Sequence, residues 1–293
     1  MGNFRGIFYA LISSATFGLV PFFSIALLDS GMSAATVLFY RMGVGALLIG
    51  AVALVQKKSF AVSLTELLKI LVLGVLYAGT SLALIISYSY IPTGIATTIH
   101  FLYPIFVALI MVSLFKEKCS FGLIAAAVVS LIGVALLSWS SSASVNVKGI
   151  AIVMITVLTY GSYIVGVNKS GVGRIDALPL TFYVLVAATV VSGLVAGVTS
   201  GIGSINSGYQ IVNVLLIALI PTVISNLTLI LAVKNVGSTI TAILGSLEPL
   251  TAVLVGVFWF DEPFNLQYAI GLLLILVSVS LVVWFNNRRK IDR

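Results

Sequence analysis

Charge is scarce in this chain. Asp, Glu, Lys and Arg make up 8% of its 293 residues, hydrophobic residues make up 60%, and the mean hydropathy is +1.23. Soluble domains carry about 25% charged residues, so a water-facing globular surface is excluded. Basic residues outnumber acidic ones, 15 to 8. They are scattered through short loops and the tail, with no basic patch interleaved with aromatics, which excludes nucleic acid as a partner. Cysteine is limited to Cys119 in a predicted loop, so there is no disulfide framework and no thiolate metal site. No glycine-rich phosphate loop, metal cluster or extramembrane domain is present. ATP-driven pumping by this chain alone is therefore not expected, and neither is a cofactor or an enzymatic activity.

What fills the chain instead is apolar runs, each long enough for a membrane crossing of about 20 residues. They predict an all-α integral membrane protein with ten spans: 5–28, 33–55, 67–90, 94–115, 121–140, 149–168, 177–199, 211–234, 238–260 and 265–286. The first run follows Arg5, lacks a small-residue cleavage site and exceeds a signal-peptide core, so it reads as span 1. With the N-terminus in the cytoplasm, thirteen of the fifteen Lys and Arg fall inside; Lys148 falls outside and Arg41 lies within span 2. That bias follows the positive-inside rule and predicts both termini in the cytoplasm of an inner (plasma) membrane. Arg41 lies early in span 2, where snorkelling to the outer interface and pairing with Asp29, Asp261 or Glu262 is expected, with anion binding as the alternative.

One stretch occurs twice. Pro104 precedes Glu117 by thirteen residues, Pro249 precedes Glu262 by thirteen, and both intervals are almost wholly apolar. A proline within an apolar helix opens its hydrogen-bond ladder. Matching breaks in two halves point to a transport site. Other landmarks recur as well. Thr16-Phe17-Gly18 returns as Thr159-Tyr160-Gly161 and Phe39-Tyr40 as Phe182-Tyr183; further on, Thr80-Ser81-Leu82 returns as Ser225-Asn226-Leu227. Two repeats result, 5–140 and 148–286, followed by a basic cytoplasmic tail, 287–293. Five spans per repeat is an odd number, so the second repeat must enter the membrane inverted relative to the first.

These landmarks carry a resemblance. Phe17-Gly18, Tyr40-Arg41, Pro104…Glu117 with Gly122 and Ile132-Gly133-Val134, and Glu248-Pro249…Glu262 with Gly271 resemble the EamA-type drug/metabolite transporter (DMT) superfamily. Two EamA units would cover nearly the whole chain. The resemblance implies ten helices around a central cavity lined by spans 1, 3, 4, 6, 8 and 9. It also implies alternating access, with export or exchange of small metabolites such as amino acids. Phe17 and Tyr160 replace the family's usual tryptophans. Small multidrug exporters depend on a glutamate in their first helix, and spans 1 and 6 contain none, so proton-coupled drug export by that route is not expected.

The site expected from the residues is substrate-binding and cavity-lining: His100, Tyr103, Glu248, Ser246, Asn226, Tyr77, Ser81, Phe17 and Tyr160, with Pro104 and Pro249 as helix breaks that gate. Glu248 lies mid-span, where a charge must be protonated, paired or wet. It would bind an ammonium group or carry a proton, or else cap backbone freed by Pro249. His100 would supply hydrogen-bond recognition or, alternatively, bond a neighbouring helix. The small polar pairs Thr80-Ser81 and Ser225-Asn226 are expected to join helices and, facing the cavity, to orient cargo. Tyr103 and Tyr160 offer an aromatic wall. A small-molecule metabolite and the bilayer are the expected partners, with a proton or ion as the coupling option, and one monomer suffices to close the cavity. Two other functions compete: an intramembrane hydrolase using Ser246 and His100, and a passive channel.

Overall fold

The computed structural model describes residues 2–91, 96, 99–117, 121–138, 146–259 and 266–291. Among these the chain is helical and the spans are recovered in order. Span 1 is α1 (Gly2–Phe17) and α2 (Val20–Asp29); spans 2 and 3 are α3 (Ala34–Val55) and α4 (Leu64–Ser87). Span 4 includes α5 (Tyr103–Ser113), and span 5 is α6 (Phe121–Ser138). Spans 6 and 7 are α7 (Val147–Lys169) and α8 (Ala177–Thr199). Span 8 runs through α9 (Gly208–Ala218), a π-helical turn (Leu219–Ile224) and α10 (Ser225–Val236). Span 9 is α11 (Ser238–Leu244) and α12 (Leu247–Trp259), and span 10 is α13 (Leu266–Ile291). Six of these stretches are by themselves long and apolar enough to cross a membrane. α5, α6, α11–α12 and α13 supply the remainder. Cys119, Trp139, Asp261 and Glu262 lie outside the described residues.

Helices start in two ways here. Five that start at a bundle end carry a polar cap, where a side-chain oxygen satisfies an orphan backbone N–H. Ser33 caps α3, Asn146 caps α7, Asp176 caps α8 and Ser207 caps α9; Ser63 and Glu66 form a reciprocal capping box on α4. Three that start within the bundle carry proline in their first turn instead. α2 begins around Pro21 and α5 around Pro104, neither with a side-chain cap, and Pro249 is the third residue of α12. Proline suits a first helical turn because its missing N–H would have been an orphan there. The helix breaks expected at the two prolines lie just ahead of them. Spans 4 and 9 are broken just before Pro104 and Pro249, at Phe101-Leu102 and Gly245-Ser246, and spans 1 and 8 are interrupted as well.

The packing is reciprocal between the halves. α3 lies along α8, α6 along α13, α1 along α10, and α4 along α7. Exchanging spans 1–5 with 6–10 maps the first two pairings onto themselves. It converts the third, spans 1 and 8, into the fourth, spans 6 and 3. A pseudo-two-fold axis does this, and with an odd number of spans per repeat it lies in the membrane plane. The principal interfaces thus all join one repeat to the other. Leu47, Leu54, Val72, Leu109, Ile124, Leu194 and Val198 are exposed on the outside, as a lipid-facing shell requires. At one end of the bundle the turn between α7 and α8 collects lysines: Lys58 pairs with Asp176 at 2.8 Å, Lys69 donates to the Ser170 carbonyl, and Lys234 donates to the Ile175 carbonyl.

Candidate functional site

Two glycines set the approach of spans 1, 4 and 9. A Cβ on Gly18 would strike the Glu248 carbonyl, and one on Gly245 would strike the Tyr103 hydroxyl. α1 therefore lies directly on the break in span 9, and Ser14 Oγ donates to the Gly245 carbonyl at 2.7 Å. Beside this crossing is a cavity of about 20 Å³ lined by Phe17, Gly18, Val20, Pro21, Leu84, Tyr88, His100, Glu248 and Pro249. That volume holds about one water. Glu248, 9% exposed, makes no side-chain hydrogen bond to the described residues.

An aromatic cluster extends the site from the cavity toward span 8. His100 sits 5.2 Å from Tyr103 and 5.4 Å from Tyr160, ring centre to ring centre. Tyr160 meets Tyr103 edge-on at 4.7 Å and stacks on Phe17 at 6.2 Å. Tyr163 continues the cluster to Tyr77 at 5.2 Å and donates its hydroxyl to Asn226 Oδ1 at 2.6 Å. His100 Nδ1 lies 2.7 Å from Thr156 Oγ1. Of the small polar pairs, Thr80 bonds Thr159 at 2.7 Å and Ser225 bonds Ser13, which joins helices as expected. Of the expected site residues, Phe17, His100, Glu248 and Pro249 line the cavity. Tyr103, Tyr160, Tyr77, Ser81, Asn226, Ser246 and Pro104 are buried in the layer around it.

Among the described residues, several buried polar atoms have no hydrogen-bond partner. They include Ser81 Oγ, His100 Nε2, Asn226 Nδ2 and Ser246 Oγ. Since Ser246 Oγ and His100 Nε2 are both unpartnered, they do not bond each other, and no hydrolytic pair is assembled.

Arg41 corrects the sequence reading. It is 1% exposed and does not reach the outer interface. Its Nε donates to Thr222 Oγ1 at 2.7 Å and an Nη donates to the Pro221 carbonyl at 3.3 Å. The guanidinium lies 5.7 Å from the centre of the Phe17 ring, within cation–π range. The cause is the π-turn at 219–224. It presents the Thr222 hydroxyl and the Pro221 carbonyl toward span 2 as the two acceptors that hold the guanidinium. Arg41 and Glu248 form no direct ion pair, yet each lies within the other's electrostatic field. Tyr88, Thr156, Tyr163 and Pro21 also join the site unforeseen; only Pro21, three residues after Gly18, left a readable interruption signal.

Ten spans, a repeat-exchanging axis and a polar centre describe a transporter scaffold, and the EamA-like transporter profile matches residues 4–139 and 147–284. The chain belongs to the EamA-like transporter family. It is accordingly a multi-pass membrane transporter of the drug/metabolite superfamily, with one EamA unit in each half. A protein of known crystal structure shares this fold, with a TM-score of 0.79 at 16% identity over 98% of each chain. No curated protein matches this EamA chain in sequence.

Proposed function

We propose that this EamA protein is a secondary transporter. It exports or exchanges a small organic metabolite, such as an amino acid, by alternating access between two inverted repeats. The observation that carries the reading is a small cavity lined by Glu248 and by His100, whose buried Nε2 has no hydrogen-bond partner among the described residues. Each buried, unsatisfied group costs about 1–3 kcal/mol, a cost that is offset when cargo supplies the missing partners. Glu248 and His100 face the cavity as acceptors for a cationic or donor-bearing group, and Arg41 stands behind Phe17 as the compensating positive charge. Tyr103 and Tyr160 form an aromatic wall. The breaks before Pro104 and Pro249 leave spans 4 and 9 hinged where they flank the cavity, so rocking of the repeats opens it to either side. Lysines gathered at the α7–α8 turn support that end as cytoplasmic, with both termini on the same side of a plasma membrane. Drive comes from the cargo gradient or a coupled proton or ion, and one chain is enough to form the path.

The test is counterflow in proteoliposomes, guided by a thermal-shift screen of amino acids, nucleosides and cationic drugs. Saturable exchange of one class, lowered in Glu248→Gln and His100→Ala, is expected. Unsaturable flux would make the protein a channel. Saturable exchange indifferent to both substitutions would move the site elsewhere.

A further inference from the structure

Thr156 decides which nitrogen of His100 carries the proton. Its hydroxyl oxygen lies 2.6 Å from the Val153 carbonyl oxygen, a separation two oxygens reach only with a proton between them. That proton is the hydroxyl's own, so toward His100 the Thr156 oxygen offers only a lone pair. At 2.7 Å it must accept, and the donor is His100 Nδ1–H. The neutral ring then leaves a bare lone pair on Nε2, which is buried and has no partner among the described residues. Tyr103 and Tyr160 flank the ring, and turning it over would forfeit the Thr156 bond. Glu248 shares the cavity and presents a second acceptor.

From this geometry we infer that His100 Nε2 is the specificity-determining acceptor of the site. Cargo is selected for an N–H or O–H donor at that point, and Thr156 is the positioning residue that fixes the tautomer. The inference rests on the transporter reading above and goes beyond it, since it names what the cargo must present.

His100 is the only histidine in the chain. Protein purified with a histidine-free tag and labelled with 15N-histidine therefore gives one pair of ring nitrogen resonances. In lipid nanodiscs these should show a protonated Nδ1 and a bare Nε2. L-phenylalanine and its N,N-dimethyl form, which keeps one N–H, should both move the Nε2 signal. The N,N,N-trimethyl form has the same charge and no N–H; it should leave the signal in place and bind at least tenfold more weakly. Thr156→Val should mix the tautomers and erase the discrimination, whereas Thr156→Ser should retain both. His100→Gln, able to place an oxygen near the Nε2 position, should discriminate better than His100→Phe. A protonated Nε2, an equal response to the dimethyl and trimethyl forms, or an Nε2 signal indifferent to every probe the liposomes exchange would each overturn the inference. Absence of flux beside a selective Nε2 response would instead sink the transporter reading and leave the acceptor assignment standing.

Discussion

Arg41 places a permanent positive charge inside a lipid-embedded bundle and bonds only neutral oxygens there. A guanidinium is suited to this because its rigid fork serves two acceptors at once. We expect Arg41→Gln to lower counterflow at least tenfold, equivalent to about 1.4 kcal/mol, and Arg41→Lys not to restore it. Wild-type exchange rates in Arg41→Lys would show that charge alone suffices. The position of this side chain was not legible in the sequence, since an arginine eight residues into a span reads as one that snorkels. What turns it inward is a pair of acceptors on a distant span, the Thr222 hydroxyl and the Pro221 carbonyl. Glu248 and His100, by contrast, announced themselves as polar groups with no surface to reach. At the surface, hydrogen bonds from Lys58 and from the Leu178 backbone hold the Asp176 carboxyl below the usual carboxylate range. A depressed pKa contributes stability above the unfolded value, near 3.9, and loses it as pH falls through the folded one. Asp176→Asn keeps the helix cap and removes the pair. It should cost no more than about 1 kcal/mol at neutral pH because both partners are partly exposed, and thermal melts of the two proteins should converge in acid.

At the level of helices, the breaks in spans 1, 4 and 9 work because glycines let neighbouring backbones close on them. Adding a methyl at Gly18 or Gly245 drives it into the Glu248 carbonyl or the Tyr103 hydroxyl. Overpacking of this kind costs about 1–3 kcal/mol, so Gly18→Ala and Gly245→Ala should lower the melting temperature and slow exchange. Gly79 has open space beside it, and Gly79→Ala should be neutral or stabilising by up to about 1 kcal/mol through helix propensity. Equal melting temperatures for all three variants would remove the close-approach argument. The doubled Pro104 and Pro249 could be read from the chain because two copies carried the same signal. The π-turn could not, since one proline in an apolar run does not reveal whether its helix stops, kinks or widens; the packing of α3 against the turn decides that.

On the scale of the whole molecule, the loop after α3 and the loop after α8 are repeat counterparts, and inversion places them on opposite sides of the bilayer. In a Cys119→Ser background, an impermeant maleimide outside sealed, right-side-out vesicles should label Ser204→Cys and spare Gln56→Cys. Labelling of both from one side would contradict the inverted arrangement. Span number and inversion were legible because lysine and arginine positions must satisfy every loop at once. The partner of each helix was not, because period and hydropathy are the same whichever apolar neighbour a helix meets.

The way each helix finds its main neighbour in the other half bears on how the protein is born. When the ribosome has released spans 1–5, none of α1, α3, α4 or α6 yet has the partner it will lie against, and Arg41 and His100 still lack Thr222 and Thr156. The nascent first half must therefore wait in or beside the insertion machinery with its charged and polar groups sheltered. The two halves made as separate polypeptides should reconstitute transport when synthesised together, while the first half made alone should be degraded.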